Sequence, residues 1–156
     1  MSKSFKGVAQ MKNIIRIIRI TGFLYIIAFI ITSIIFIFFD VQLIHIFNSI
    51  SQSVFPALPL AHEQGSFFKV LALSMMFGVT LCSYLIFKDD EKYITMALPL
   101  AGMKFASSAC GVLFFVLGFL SANGYNTLAT IAIFFTDFPL GLWILYLYIK
   151  YQQVKQ

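Results

Sequence analysis

The amino-acid sequence predicts an all-α integral membrane protein, a four-helix transmembrane bundle with both termini on the cytoplasmic side. Its 156 residues are 60% hydrophobic and 11% charged, with a mean hydropathy of +0.92. Soluble domains are roughly 45–50% apolar and about 25% charged. A soluble fold of this length could not bury so much apolar surface, whereas a membrane protein exposes it to lipid. The length suits a single domain, 1–156.

Four apolar runs are long enough to cross a membrane, at about 20–39, 70–87, 95–120 and 127–149. At 1.5 Å per residue, the first run spans a hydrocarbon core of about 30 Å. It is longer than the apolar region of a secretory signal, about 7–15 residues, and it ends in "FIFFD" without a small-residue cleavage site. We therefore expect it to be a retained helix. The polar turns "KDDEK" (88–92) and "SANGYN" (121–126) separate the later runs.

The charge distribution orients these spans. Segment 1–19 is basic and contains no acid, and its cations are Lys3, Lys6, Lys12, Arg16 and Arg19. Together with the 88–92 turn and the C-terminal tail it holds most of the 11 Lys and Arg residues. The positive-inside rule places these segments in the cytoplasm, with a bacterial inner membrane as the predicted location. Membrane lipids are the expected partners of this charge, and nucleic acid is not, because no nucleic-acid-binding motif accompanies it.

The connection at 40–69 predicts a short amphipathic helix on the outer membrane face. Its apolar residues recur at three- and four-residue spacing, and they are Leu43, Phe47, Ile50 and Val54. Pro56 and Pro59 are expected to end the helix. The connection also holds two His and two acids, namely Asp40, His45, His62 and Glu63. No third ligand is spaced to complete a metal site, so we interpret these as loop residues and predict neither a metal nor a cofactor.

Small residues recur every four positions in the second and third spans. Ser74 and Gly78 form one such ridge, and Gly102 and Ala106 form another. Small side chains let membrane helices approach closely, which predicts helix packing through these ridges. A ligand groove with small walls is the alternative interpretation.

Lys104 and Asp137 are charged residues inside the third and fourth spans. A charge at the bilayer centre costs at least about 2.5–3.5 kcal/mol, so two opposite charges are expected to meet. The two spans are antiparallel neighbours, which places the residues at similar depth. Pro139 loosens the helix beside Asp137 and favours a polar pocket there. Alternatively, Lys104 extends to the interface and Asp137 is protonated or hydrogen-bonded to a Ser or Thr.

The sequence contains no GxGxxG, P-loop, HExxH, GxSxG or haem-attachment pattern, so we assign no catalytic residue. In size and span number, the layout resembles the DoxX-like bacterial membrane proteins and the group of sterol isomerases and the sigma-2 receptor. The latter resemblance implies an acid in a membrane pocket, but no motif matches residue by residue. We expect a non-enzymatic accessory or structural subunit that packs against other membrane proteins or copies of itself. The alternative is a binder or converter of a lipid, sterol-like molecule or quinone near Asp137.

Overall fold

The computed structural model describes residues 3–61, 66–121 and 127–155, and this part of the chain is all-helical. Its helices are α1 (Lys3–Phe38), α2 (Asp40–Val54), α3 (Ser66–Lys88), α4 (Asp90–Tyr93), α5 (Ala97–Ser121) and α6 (Leu128–Lys155), with a 3₁₀ turn at Ile94–Met96. Four segments are long and apolar enough to cross a membrane, at Met11–Phe38, Lys69–Lys88, Glu91–Leu120 and Leu128–Lys155. The predicted all-α fold class with four spans is confirmed.

The four long helices form a ring in which every neighbour is antiparallel. Helix α1 packs against α3 and α6, and α5 packs against α6 and α3. The start of α1 and the end of α6 therefore lie at one end of the bundle. We call this the basic end, because it holds Lys12, Lys88 and Lys150, and we call the opposite end the α2 end.

The hydrophobic core lies towards the basic end. Its buried members come from all four long helices and the 3₁₀ turn, and they are Ile14, Ile18, Tyr25, Val79, Ile86, Ile94, Ala97, Leu100, Ala101, Ile144, Leu147 and Tyr151. All of them except Tyr25 come from the 3₁₀ turn or from the halves of the long helices that point to the basic end. The helices are therefore packed most tightly at the basic end.

The basic N-terminal segment is part of the bundle rather than a separate tail. Helix α1 begins at Lys3, well before the predicted start of the first span near residue 20. Ile14 and Ile18 are buried, whereas Lys12 and Arg16 are exposed on the other side of the helix. A search for charge-free runs stops at Arg19 and misses this face, although its apolar residues continue at four-residue spacing.

Helix α6, like α1, is longer than the apolar run that predicts its span. Helix α6 continues to Lys155, beyond the predicted end near residue 149. Tyrosine side chains near the end of a span often lie at the membrane interface. Tyr146 is exposed, but Tyr151 is 2% exposed and belongs to the core, because it faces the same side of α6 as Ile144 and Leu147.

Ile18→Ala tests whether the basic segment contributes to stability. Ile18 is 4% exposed, and its truncation should lower the free energy of unfolding by about 2 kcal/mol through lost packing. Ile17→Ala is the matched control, because Ile17 is 41% exposed on the adjacent face and should change stability little. Chemical unfolding in detergent micelles measures both. Equal effects of the two substitutions would contradict a packed N-terminal segment.

Helix α2 occupies the predicted amphipathic segment and follows α1 after the single residue Phe39. Leu43 and Phe47 are half-buried, whereas Ile50 and Val54 are exposed. The helix ends one residue before Phe55, since a residue that precedes proline disfavours the α conformation. The loop after it folds back onto the helix, as the next contact shows.

Two hydrogen bonds join Asn48 in α2 to the backbone of Ala61. The Asn48 Nδ2 group donates to the Ala61 carbonyl oxygen (3.0 Å), and the Ala61 N–H donates to Asn48 Oδ1 (2.8 Å). This amide pair uses both ends of the Asn48 side chain. It holds residues 55–61 in a defined position against α2.

Candidate intramembrane polar site

Lys104 and Asp137 meet between α5 and α6. Lys104 Nζ donates a hydrogen bond to Asp137 Oδ1 at 2.7 Å. The Lys104 side chain is 4% exposed and that of Asp137 is 18% exposed. Both residues lie near the middle of their candidate spans, where an unpaired charge is most costly. The antiparallel packing of α5 and α6 brings the two charges to one depth.

The remaining polar atoms around this ion pair come from the next turn of α5. Ser107 Oγ donates to Asp137 Oδ2, so both carboxylate oxygens of Asp137 have a partner. Ser108 Oγ donates to the Lys104 carbonyl oxygen at 2.8 Å. We call Lys104, Ser107, Ser108 and Asp137 the polar cluster. A buried ion pair is more favourable when its other hydrogen-bonding positions are satisfied, and here both oxygens of the Asp137 carboxylate are.

Helix α1 covers the polar cluster with aromatic rings. Lys104 Nζ lies 4.1 Å from the ring centroid of Phe29, a cation–π distance. Tyr25 stacks on Phe29 and donates a hydrogen bond from its hydroxyl to the Leu140 carbonyl oxygen at 3.3 Å. The cluster therefore contacts three of the four long helices.

Gly141 lets α6 approach Lys104 closely. A Cβ at this position would lie 3.2 Å from Lys104 Cβ and 2.9 Å from the Phe105 ring. We had not singled out Gly141 from the sequence. The signal was present, because Gly141 follows Asp137 by four residues and shares its helix face.

Pro139 lies outside the polar cluster. It is exposed, and α6 continues through it.

The structure has two cavities in the described part of the chain whose described lining residues do not include Lys104 or Asp137. One, of about 20 Å³, lies in the core near Tyr25 and Leu100. The other, of about 740 Å³, lies at the α2 end and reaches α6 at Thr136. The role of Lys104, Asp137 and Pro139 as a ligand pocket stays a prediction.

The small residues of the predicted ridges occupy different environments. Ser74 is exposed and donates to the carbonyl of Val70 in its own helix. Gly78 faces Met103 of α5, whose sulfur would lie 3.5 Å from an added Cβ. Gly102 and Ala106 are exposed on the outward face of α5, and no heavy atom lies within 4 Å of a Cβ at Gly102.

The close contact between α5 and α6 uses other small residues. A Cβ at Gly111 would lie 3.0 Å from the Thr130 carbonyl oxygen in α6. Gly111 of α5, on the side of that helix opposite to Gly102, and Gly141 of α6 thus bring the two backbones together. The ridge of Gly102 and Ala106 stays a prediction for contacts with another chain.

The His and acidic residues of the 40–69 connection form no cluster in the described part of the chain. His62 and Glu63 lie outside the described residues. His45 is exposed, and Asp40 forms an ion pair with Lys69 at the start of the second span. Among the residues that the structure describes, no three His, Cys, Asp or Glu side chains are placed to bind a metal ion. Cys82 and Cys110 are both free thiols.

The ion pair between Asp40 and Lys69 predicts a pH-dependent connection. The hydrogen bond from Lys69 holds the pKa of the Asp40 carboxyl below its usual value of about 3.9, and the positive charge and backbone N–H groups add to this. A lowered folded-state pKa stabilises above the usual pKa, and the effect is lost as the pH falls through the lowered value. The protection factors of the α2 amides, which are exchange rates corrected for the intrinsic effect of pH, should therefore fall below about pH 4. In Asp40→Asn this acid step should be absent, and an unchanged step would refute the assignment.

The fold and the polar cluster together define a class, a small multi-pass helical membrane protein with a buried ion pair between its last two long helices. Comparisons of the chain with protein-family models, with curated proteins and with solved structures give no match. The likeness in layout to the DoxX-like proteins and to the sterol-isomerase and sigma-2 receptor group therefore stays an expectation.

Proposed function

We propose that this protein is a non-enzymatic accessory or structural subunit that associates with other membrane chains through the outward face of α5. The observation that carries this proposal is the open space beside Gly102, where an added Cβ would have no atom within 4 Å apart from its chain neighbours and the nearby backbone of its own helix. Ala106, one turn further on, is exposed on the same face. Small outward-facing residues are typical of helix–helix interfaces in membranes, because they permit close backbone contact.

The polar cluster supports a structural role for the charged pair. Each Asp137 oxygen has a partner within the chain, and Lys104 has both the carboxylate and the Phe29 ring. These contacts satisfy the buried charges internally, so the pair holds α5 to α6.

The accessible surface also supports association. It measures 10,209 Å², whereas a folded monomer of 17.7 kDa has about 8,000 Å². The surplus is available to lipid and to partner chains.

Substitution on the outward face of α5 tests this function. Gly102→Leu combined with Ala106→Leu should abolish association in mild detergent, measured by crosslinking in the source membrane and by native gels. Ala28→Leu is the matched control, because Ala28 is exposed on α1, away from this face. A wild-type chain that is monomeric and has no crosslinked partner would overturn the proposal. If the chain with both leucines still associates, the outward face of α5 is not the interface.

We place the protein in a bacterial inner membrane with its basic end in the cytoplasm, on the strength of the positive-inside rule. Single cysteines at Gln153 and Ser53, in a chain whose two native cysteines are serine, test this orientation. An impermeant thiol reagent applied from outside should label the cysteine at position 53 and spare the one at 153. The reverse pattern would invert the topology.

A second candidate function is favoured by the cleft of about 740 Å³ at the α2 end. Its walls are almost entirely apolar. Along α6 the cleft ends at Thr136, the residue that precedes Asp137. A cavity of this volume falls within the range of about 300–1,000 Å³ for small-molecule sites. The protein would then bind a hydrophobic molecule, and co-purification of such a molecule from the source membrane is its test.

A further inference from the structure

The cleft at the α2 end has two walls from distant parts of the chain. One wall is the end of α2 and the loop after it, including Phe55, Pro56 and Leu58. The other is the first part of α6, including Leu128, Ile131 and Phe135, with Phe115 of α5 beside it. The second wall belongs to two candidate membrane spans, so the cleft lies at membrane depth.

The depth of the cleft matches one leaflet. Its wall on α6 runs from Leu128 to Thr136, which at 1.5 Å per residue is about 12 Å. Half of the hydrocarbon core is about 15 Å. The cleft therefore begins near the surface on which α2 lies and ends near the bilayer centre.

The apolar lining of the cleft favours a hydrocarbon chain as its ligand. Among the described residues that line the cleft, none is charged, and Thr136 alone has a polar side chain. The Thr136 hydroxyl already lies within hydrogen-bonding distance of the Ala132 and Ile133 carbonyl oxygens of its own helix. The carboxylate of a free fatty acid would find no cation among the described residues that line the cleft. A phospholipid keeps its headgroup in the interface and inserts only its chain.

The loop wall is held in position by backbone hydrogen bonds. Phe55 N–H donates to the Ser51 carbonyl (2.7 Å), and Leu58 N–H donates to the Phe55 carbonyl (2.9 Å). The amide pair between Asn48 and Ala61 anchors the loop beyond them. The wall is thus built independently of any occupant, which is the condition for a largely preformed site.

We propose that this cleft binds one acyl chain of a phospholipid from the leaflet beside α2, with the headgroup at the membrane surface. The inference rests on the second candidate function and names its ligand class and site. It commits to a retained lipid, in contrast to the exchanging lipid that surrounds every membrane protein. The accessory role through α5 does not depend on it.

Photo-crosslinking tests the site in the unmodified chain. Vesicles containing a phospholipid with a diazirine near the middle of one acyl chain are irradiated with the protein, and labelled peptides are mapped by mass spectrometry. Label should concentrate in the peptides containing Phe115 and Ile131–Phe135, above that on the exposed α1 residues Ile27 and Ile34. Uniform labelling of all lipid-facing helices would overturn the proposal.

Filling the cleft gives a second, quantitative test. Ala132→Trp should reduce the phospholipid retained after detergent exchange, measured by native mass spectrometry, from about one per chain to below a tenth of that. Ala57→Trp should do the same from the loop wall if the first variant does not fold, and Ala28→Trp is the matched control on α1. The inference would be overturned if the tryptophan variants retained as much phospholipid as the wild type, or if the wild type retained none. A retained quinone or sterol-like molecule would also overturn it, while leaving the second candidate function in place.

Discussion

Asp137→Leu is expected to lower the free energy of unfolding by about 3 kcal/mol or more. It leaves the ammonium of Lys104 buried without its carboxylate, and removal of one partner from a buried pair typically costs about 3–5 kcal/mol. The bilayer setting adds to this cost, because no water is available to solvate the remaining charge. Chemical unfolding in micelles, followed by circular dichroism, measures the loss.

The double variant Lys104→Met with Asp137→Leu distinguishes a missing partner from a disturbed core. Replacing both charges by apolar groups of similar volume is often neutral or stabilising, so the double variant should recover most of the stability. Thr136→Leu is the control for a leucine at this depth, since Thr136 is exposed on α6. Lys104→Met is also measured alone. If its loss in free energy of unfolding and that of Asp137→Leu sum to the loss in the double variant, the ion pair contributes no coupling and the assignment fails.

Gly111→Leu should lower the free energy of unfolding by about 2–3 kcal/mol, because an added side chain has no space between α5 and α6. Its Cβ alone would lie 3.0 Å from the Thr130 carbonyl oxygen, which is backbone and cannot rotate away. The two helices would have to separate, which is an overpacking cost. Unfolding in a detergent that keeps the chain monomeric gives the value.

Gly102→Leu is the matched control on the same helix. Nothing lies within 4 Å of a Cβ at Gly102, and leucine is a better helix former than glycine. Monomer stability should stay within about 0.5 kcal/mol of the wild type or rise. Equal losses at Gly111 and Gly102 would show that the effect does not arise from the contact between α5 and α6.

The fold could be predicted from the sequence because membrane spans depend on local properties. Runs of apolar residues, their length and the charges between them indicate four helices without knowledge of any tertiary contact. The apolar runs end at Arg19 and Lys150, whereas α1 and α6 continue beyond these residues. Ile14, Ile18 and Tyr151 are buried through contacts between helices, which a scan of single segments does not include.

The polar cluster was predictable only in part. Lys104 and Asp137 are conspicuous because charges are rare inside spans, and the antiparallel hairpin brings them to one depth. Their actual neighbours depend on helix rotation. Rotation directs Gly111 and Gly141 towards the contact between α5 and α6, and it directs Gly102 and Ala106 outwards. The three-residue pattern of Lys104, Ser107 and Asp137 could not be derived without that angle.

The ion pair has a consequence for how the chain enters the membrane during synthesis. Asp137 follows Lys104 by 33 residues, which at about 5–20 residues per second is a delay of roughly 2–7 s. Throughout that delay α5 would carry an uncompensated ammonium into the hydrocarbon core. Insertion of α5 and α6 as one hairpin removes this barrier, because the charges neutralise each other before lipid surrounds them. We therefore expect the last two helices of the protein to depend on each other for insertion as well as for stability.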